Sequence, residues 1–224
     1  MKPILYIVAG PIGNLGDLTV RALDVLKNSD LIVAEDTRVT RKLLDHYGIN
    51  KHIKSLRERS SITVIADLID GMSRNNQSVA YLTDAGTPNI ADPGGRLVAA
   101  ARSAGITVAP LPGPSAATAL MQVAGINLND GVLFLGFLPK KKGRQTLLQR
   151  LKRDPWPVII FEDKHRVIRT LNDFASIWGE EAQVVVGREL TKKFEEILSG
   201  NIKTIIEQLS EGVLKGEFTI LIKP

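Results

Sequence analysis

Residues 4–34 read Ile4-Leu-Tyr-Ile-Val-Ala-Gly-Pro-Ile-Gly-Asn-Leu-Gly-Asp-Leu-Thr-Val-Arg-Ala-Leu-Asp-Val-Leu-Lys-Asn-Ser-Asp-Leu-Ile-Val-Ala34, and the fold follows from them. The two ends, Ile4–Ala9 and Leu31–Ala34, are short uncharged apolar runs of the kind found in strands buried on both faces. Between them, Thr19–Lys27 carries apolar residues at helical spacing, with Thr19 placed to cap the helix start. A strand, a helix and a second strand in this order make parallel neighbours joined by a crossover.

The alternation extends outward from this unit. Helical patterns at Val39–Tyr47, Ile62–Met72 and Arg96–Ala104 interleave with strand patterns at Val79–Thr83 and Ile106–Ala109. The run Pro110-Leu-Pro-Gly-Pro114 is the densest group of structure breakers in the chain and places a junction there. Beyond it, helices are expected at Ser115–Ala124, Gln145–Arg153, Val167–Trp178 and Ile202–Leu209, and strands at Val132–Leu135, Val158–Phe161, Val184–Val186, Phe194–Leu198 and Phe218–Ile222. The expected fold is α/β with two αβα domains, residues 1–112 with a mostly parallel sheet and 113–224 with a mixed one.

Composition narrows the class of protein. Of 224 residues, 44% are hydrophobic and 24% charged, which suits a self-folding globular chain. With no cysteine, disulfides, thiolate metal sites and thiol nucleophiles are excluded, and a reducing cytoplasm is the natural setting. The first apolar run is too short for a signal peptide, and no run approaches the roughly 18 apolar residues of a membrane span, so no membrane partner is expected. The formal net charge is +5, and its distribution is uneven: Lys140, Lys141, Lys142, Arg144, Arg150, Lys152 and Arg153 fall in a stretch with no acidic residue. That stretch reads either as a solvated face or as a surface for phosphates.

Ligands of open parallel sheets gather beyond the carboxyl ends of the strands, and three unusual loops fall there. Gly10, Gly13 and Gly16 are spaced unlike a dinucleotide or Walker loop, and read as a tight turn or as a close backbone approach to a ligand. Asp84–Gly95 combines two prolines with three glycines, a stiff surface of exposed backbone suited to a small polar ligand. Glu35 and Asp36 end an otherwise apolar strand, where they either pair with Arg38 or Arg41 or face a substrate. His46, His52 and His165 lack metal-ligand spacing, and Gly113-Pro-Ser-Ala-Ala117 lacks the second glycine of a nucleophile elbow, so neither a metal nor a serine nucleophile is expected.

Taken in order, Leu5–Thr19, Asp30–Arg38, Thr83–Pro88 and Pro112–Ser115 resemble the tetrapyrrole-methylase-like methyltransferases, and among them the bacterial enzymes that methylate a ribose 2′-oxygen of 16S ribosomal RNA. The likeness continues through Gly136–Pro139, Phe161-Glu162, His165-Arg166, Arg188–Lys192 and Lys215–Glu217. It implies S-adenosylmethionine in a cleft between two domains, a homodimer, and transfer to a cytidine of the small ribosomal subunit. The implied cofactor residues are Pro11, Ile12, Asp84, Gly86, Thr87, Ile90, Ser115, Ala116, Phe161, Gly187 and Glu217. The candidates for catalysis are Glu35, Asp36, Arg38 and Glu189, and those facing RNA are Arg166, Arg188 and Lys192 together with Lys140, Lys141, Lys142 and Arg144. The chain departs from the resemblance at Arg57–Ser61, where such enzymes carry a His-x-His-Asn-Glu stretch. Two other readings share these features, a tetrapyrrole or corrinoid methyltransferase on the same fold and a non-catalytic RNA-binding relative.

Overall fold

A computed structural model describes residues 3–57, 60–91, 94–212 and 214–224. Glu58 and Arg59 of the Arg57–Ser61 stretch, and Asp92 and Pro93 of the Asp84–Gly95 loop, lie outside the described residues. The chain divides into two compact units, Met1–Ser115 and Ala116–Pro224.

The first unit runs β1 (Ile4–Val8), a 3-10 turn at Leu15–Asp17, α1 (Val20–Asn28), β2 (Leu31–Ala34), α2 (Thr37–His46), β3 (Ile53–Ser55), α3 (Ile62–Asn75), β4 (Val79–Leu82), α4 (Gly95–Ser103) and β5 (Thr107–Leu111). The sheet order is β3-β2-β4-β1-β5, and its pairings are parallel. From β1 the chain steps one way through β2 to β3, then turns back through β4 to β5. Because crossovers are right-handed, the two directions send their helices to opposite faces. On one face Ala22 and Leu26 of α1 and Leu43 and Leu44 of α2 pack with Val8, Ile32 and Leu82. On the other, Ile65, Leu68 and Ile69 of α3 and Leu97 of α4 pack with Leu5, Val33 and Tyr81. Every residue of β4 is buried, as a strand covered on both sides requires.

Local sequence sets the helix starts. The Thr19 hydroxyl accepts from the Ala22 amide (3.1 Å), and the Ser61 hydroxyl accepts from the Val64 amide (3.3 Å). The edge strand β3 was not expected. Ile-Lys-Ser has one apolar residue and no alternation to read, and it is extended only because Ile53–Ser55 pair with Ile32–Ala34.

The second unit runs α5 (Ala116–Val123), β6 (Leu133–Phe137), α6 (Arg144–Arg153), β7 (Val158–Asp163), α7 (Val167–Trp178), β8 (Gln183–Arg188), β9 (Glu196–Asn201), α8 (Ile202–Glu211) and β10 (Glu217–Lys223). Its sheet, β6-β7-β10-β8-β9, is mixed: β6 and β7 are parallel, and the other pairings are antiparallel. Leu151, Phe174, Leu171 and Ile205 from α6, α7 and α8 cover the face formed by Val158, Ile160, Val184, Val186 and Ile220. The strand expected from Phe194 starts instead at Glu196 and leaves Phe194 exposed. A register shift between Phe134 and Gly136 interrupts the β6 ladder, and both Phe134 and Phe137 remain on the surface.

A buried polar network ties α6, α7 and β7 together. Glu162 is 1% exposed and accepts from Arg166 (2.6 Å), the Thr170 hydroxyl (2.8 Å) and the Asp163 amide (3.0 Å). Arg144 donates in turn to Thr170 (2.9 Å) and Asp173 (2.7 Å). Among the described residues, no helix is long and apolar enough to cross a membrane.

Candidate ligand and substrate site

In the first unit β1 and β4 are neighbours, yet the helices that follow them cover opposite faces of the sheet. The chain therefore parts between their carboxyl ends, the position at which an open α/β sheet forms its ligand crevice. The loops after β1, β4 and β5 meet there. The Gly10 amide donates to the Gly86 carbonyl (2.9 Å), the Gly86 amide to the Pro11 carbonyl (3.4 Å), and the Thr87 hydroxyl to the Pro114 carbonyl (3.0 Å). Pro11, Ile12, Gly86 and Thr87 are thus held in one rigid rim.

Two glycines make this rim possible. Gly86 has φ +73°, and a Cβ there would lie 3.2 Å from Ile12 Cγ2. At Gly113 a Cβ would come within 2.9 Å of Ala9 Cβ and 3.2 Å of its carbonyl oxygen. Gly10 is different: it is buried, yet an added Cβ would meet nothing within 4 Å, so the first loop borders open space. Asn89 and Ala91, in the loop with the exposed Ile90, both have left-handed backbone, at φ 70° and 65°. Such conformations cost about 1–3 kcal/mol each and persist where the surroundings impose them.

The β2 acids adjoin this rim. The Asp36 amide donates to Asp84 Oδ1 (2.9 Å), fixing the β2 loop to the β4 loop. The Asp36 carboxylate accepts from the Arg38 amide at the start of α2 (2.8 Å) and pairs with the Arg38 guanidinium (2.6 Å). Those hydrogen bonds hold its pKa far below the usual carboxylate range. Arg41 does not join them, since it donates to the Lys51 carbonyl (2.9 Å). Glu35, half-buried at the strand end, receives the Ser55 hydroxyl on its carbonyl oxygen (3.4 Å).

In the second unit Phe161, Thr219 and Gly187 stand in one row across β7, β10 and β8. A Cβ on Gly187 would fall 2.8 Å from Leu190 and 3.0 Å from Leu120 of α5, so this position is glycine for packing. Just beyond, Lys192 Nζ binds Glu189 Oε1 and Glu217 Oε2, both at 2.8 Å, while Glu189 also accepts from the Glu217 amide (3.0 Å). The lysine hydrogen bond holds the Glu189 carboxyl below its usual range. Burial alone would lower the Lys192 pKa, but its two carboxylate partners outweigh that and raise it. Glu189 and Thr191 are left-handed, and Arg188 pairs with Glu196 (3.3 Å).

The model of the tetrapyrrole (corrin/porphyrin) methylases matches residues 4–206. The chain belongs to the tetrapyrrole methylase family. Similar curated members carry the name ribosomal RNA small subunit methyltransferase I: that of Mesorhizobium japonicum is 42% identical over 100% of this chain and 76% of its own length, and that of Xylella fastidiosa 45% identical over 98% and 81%. Among solved structures, uroporphyrin-III-C-methyltransferase from Thermus thermophilus matches with TM-score 0.64 at 17% identity, covering 97% of this chain and 93% of that one. A cobalt precorrin-4 methyltransferase matches with TM-score 0.67 at 20% identity, over 99% and 94%. These two likenesses establish the fold.

Within this tetrapyrrole methylase fold, the expected residues fall into separate groups. Asp84, Gly86 and Thr87 join Pro11 and Ile12, while Ser115 ends the first unit and Ala116 opens α5. Lys140, Lys141 and Lys142 are exposed. The expectation that Arg144 faces RNA is corrected: it is 3% exposed, and Asp173, Thr170 and the Pro139 carbonyl occupy its guanidinium. Arg166 is likewise turned inward, onto Glu162 and the Leu138 carbonyl. Gly113 was missed as a site residue, although its position between two prolines signalled a special turn. Glu162 was missed as well, and its signal was a carboxylate at the end of an apolar run with arginine four residues on. Among the described residues, no group of three or more His, Asp or Glu side chains is arranged to hold a metal.

Proposed function

We propose that this protein is an S-adenosylmethionine-dependent methyltransferase acting on a ribose 2′-hydroxyl of a cytidine in small-subunit ribosomal RNA. The observation that carries this reading is identity of 42–45% to relatives named for small-subunit ribosomal RNA methylation, over 98–100% of the chain. When bound, the cofactor supplies a methyl group activated on a positively charged sulfur. The open space beside Gly10 and the rim of Pro11, Ile12, Asp84, Gly86 and Thr87 fit the adenosyl end of such a molecule. We assign Ile90, Ser115, Ala116, Phe161, Gly187 and Glu217 to the same ligand on the strength of the family resemblance.

The protein's part is chiefly to orient the reacting groups. Positioning can lower a barrier by about 7–11 kcal/mol, whereas a placed general base contributes about 10²–10⁴-fold in rate. Asp36 and Glu189 are held as carboxylates by Arg38 and Lys192, which makes them weak proton acceptors. We assign the ribose proton to Glu35 for its place at the carboxyl end of β2, beside the rim, and give Asp36 and Arg38 the task of shaping the loop next to it. Arg188 and Lys192 face the RNA in this reading. The resemblance also supports a cytoplasmic homodimer, for which sedimentation of the full chain is the direct measurement.

Glu35→Gln is expected to slow transfer by about 10²–10⁴-fold with cofactor affinity unchanged; a loss of cofactor affinity equal to the loss of rate would place Glu35 in the ligand rim instead. Incubation with labelled S-adenosylmethionine and hypomethylated small subunits, followed by mapping of the label, tests the whole reading. Label on a ribose of small-subunit RNA supports it, and label only on a tetrapyrrole offered in parallel overturns it.

A further inference from the structure

The β6–α6 connection combines features that the proposed chemistry does not use. Phe137, the last residue of β6, is 59% exposed, and its ring meets Phe161 edge-on at 5.7 Å. The next two residues are gripped from below: Arg166 donates to the Leu138 carbonyl and Arg144 to the Pro139 carbonyl, both at 3.2 Å. Both guanidinium groups belong to the network centred on buried Glu162 and Thr170. Lys140, Lys141 and Lys142 follow at once, all exposed, and Arg150, Lys152 and Arg153 continue the exposed positive charge along α6. Residues 140–153 contain no carboxylate to neutralise it.

From this juxtaposition we propose that Phe137 and the Lys140–Lys142 loop form a docking site for a single-stranded segment of the RNA substrate, with a base stacked on Phe137 and the lysines against the flanking phosphates. Non-specific single-strand binders use this chemistry, a stacking aromatic beside a basic track. Phe137 and Lys140 are three residues apart, at most about 11 Å of chain, so one short stretch of nucleic acid can meet both. The arginine-gripped carbonyls hold the loop backbone before binding, which lowers the entropy cost of docking. Charge separates this reading from a contact between two copies of the chain, which would bring six like charges on each copy toward the other.

The inference rests on the RNA substrate proposed above, and its test keeps the two apart. Binding of the full-length protein to a labelled single-stranded oligoribonucleotide is measured for the wild type, Phe137→Ala, Phe137→Trp and the triple variant Lys140→Ala/Lys141→Ala/Lys142→Ala, beside titration with S-adenosylmethionine. Phe137→Ala is expected to weaken RNA binding by about 5- to 150-fold, with Phe137→Trp restoring it. The triple variant is expected to reduce the log–log salt slope by about 2. Cofactor affinity stays at the wild-type value in the triple lysine variant. Unchanged RNA affinity in Phe137→Ala, or dissociation of a dimer at unchanged RNA affinity, overturns the docking site. If the wild type methylates small subunits and Phe137→Ala does so with the same KM, the docking site alone falls. A wild type that binds cofactor but neither binds nor methylates RNA removes the function reading as well.

Discussion

Gly86→Val is expected to abolish measurable S-adenosylmethionine binding. The residue sits at φ +73°, in a region that β-branched residues scarcely enter, so valine must drag the backbone out of its present course. Its Cβ would start 3.2 Å from Ile12 Cγ2 and 3.6 Å from the Pro114 carbonyl. Neither neighbour can retreat freely, because the Gly10 amide is bonded to the Gly86 carbonyl, the Gly86 amide to the Pro11 carbonyl, and the Thr87 hydroxyl to the Pro114 carbonyl. Displacing Gly86 therefore disturbs three loops together, which is why the expected loss exceeds the cost of one strained residue. Gly86→Ala asks the same question more gently, at about 1–2 kcal/mol of left-handed strain, and should weaken the cofactor by an intermediate factor. Calorimetric titration of both variants, each first verified as folded by circular dichroism, is the measurement. Affinity equal to wild type in the valine variant would remove Gly86 and its loop from the ligand site.

The sequence made the first unit legible because its central strands are covered on both faces. Val79–Leu82 and Leu31–Ala34 must be apolar throughout, so they stand out against helices that alternate. β3 escaped because an edge strand needs no such pattern, and its pairing with β2 is decided by tertiary structure. The loops of the candidate site were legible for a related reason. Glycine and proline record backbone demands directly, so Gly10–Gly16 and Asp84–Gly95 announced themselves without any knowledge of their neighbours. Charged residues carry no such record. Arg144 and Lys142 look alike in a basic run, yet one is buried against Asp173, twenty-nine residues away, and the other is in solvent. Asp36 and Glu35 are adjacent acids at one strand end, and only the structure distinguishes the carboxylate that caps α2 and holds Arg38.

The buried network of the second unit carries the largest expected effect on stability. In Glu162→Leu the carboxylate that receives Arg166, Thr170 and the Asp163 amide is gone, while those donors stay where they are. Removing one partner of a buried ion pair costs about 3–5 kcal/mol, because the remaining charge loses its main compensation in a site largely shielded from water. The exposed Asp163 carboxylate, 3.7 Å from Arg166, replaces it only in part. Arg166 is only 15% exposed and cannot recover full hydration without pulling away from the Leu138 carbonyl. Replacing both partners, as Glu162→Leu with Arg166→Met, removes the stranded charge, and stability should return most of the way toward wild type. The exposed pair of Asp36 with Arg38, whose arginine is 86% exposed, serves as the contrast, and breaking it with Arg38→Ala, which keeps the Asp36 cap on α2, should leave unfolding unaltered. Urea titrations of these variants decide the matter. A single Glu162 variant no less stable than the double one would mean that the network does not stabilise this unit, and the grip of Arg166 on the loop before Lys140 would then lose its energetic basis.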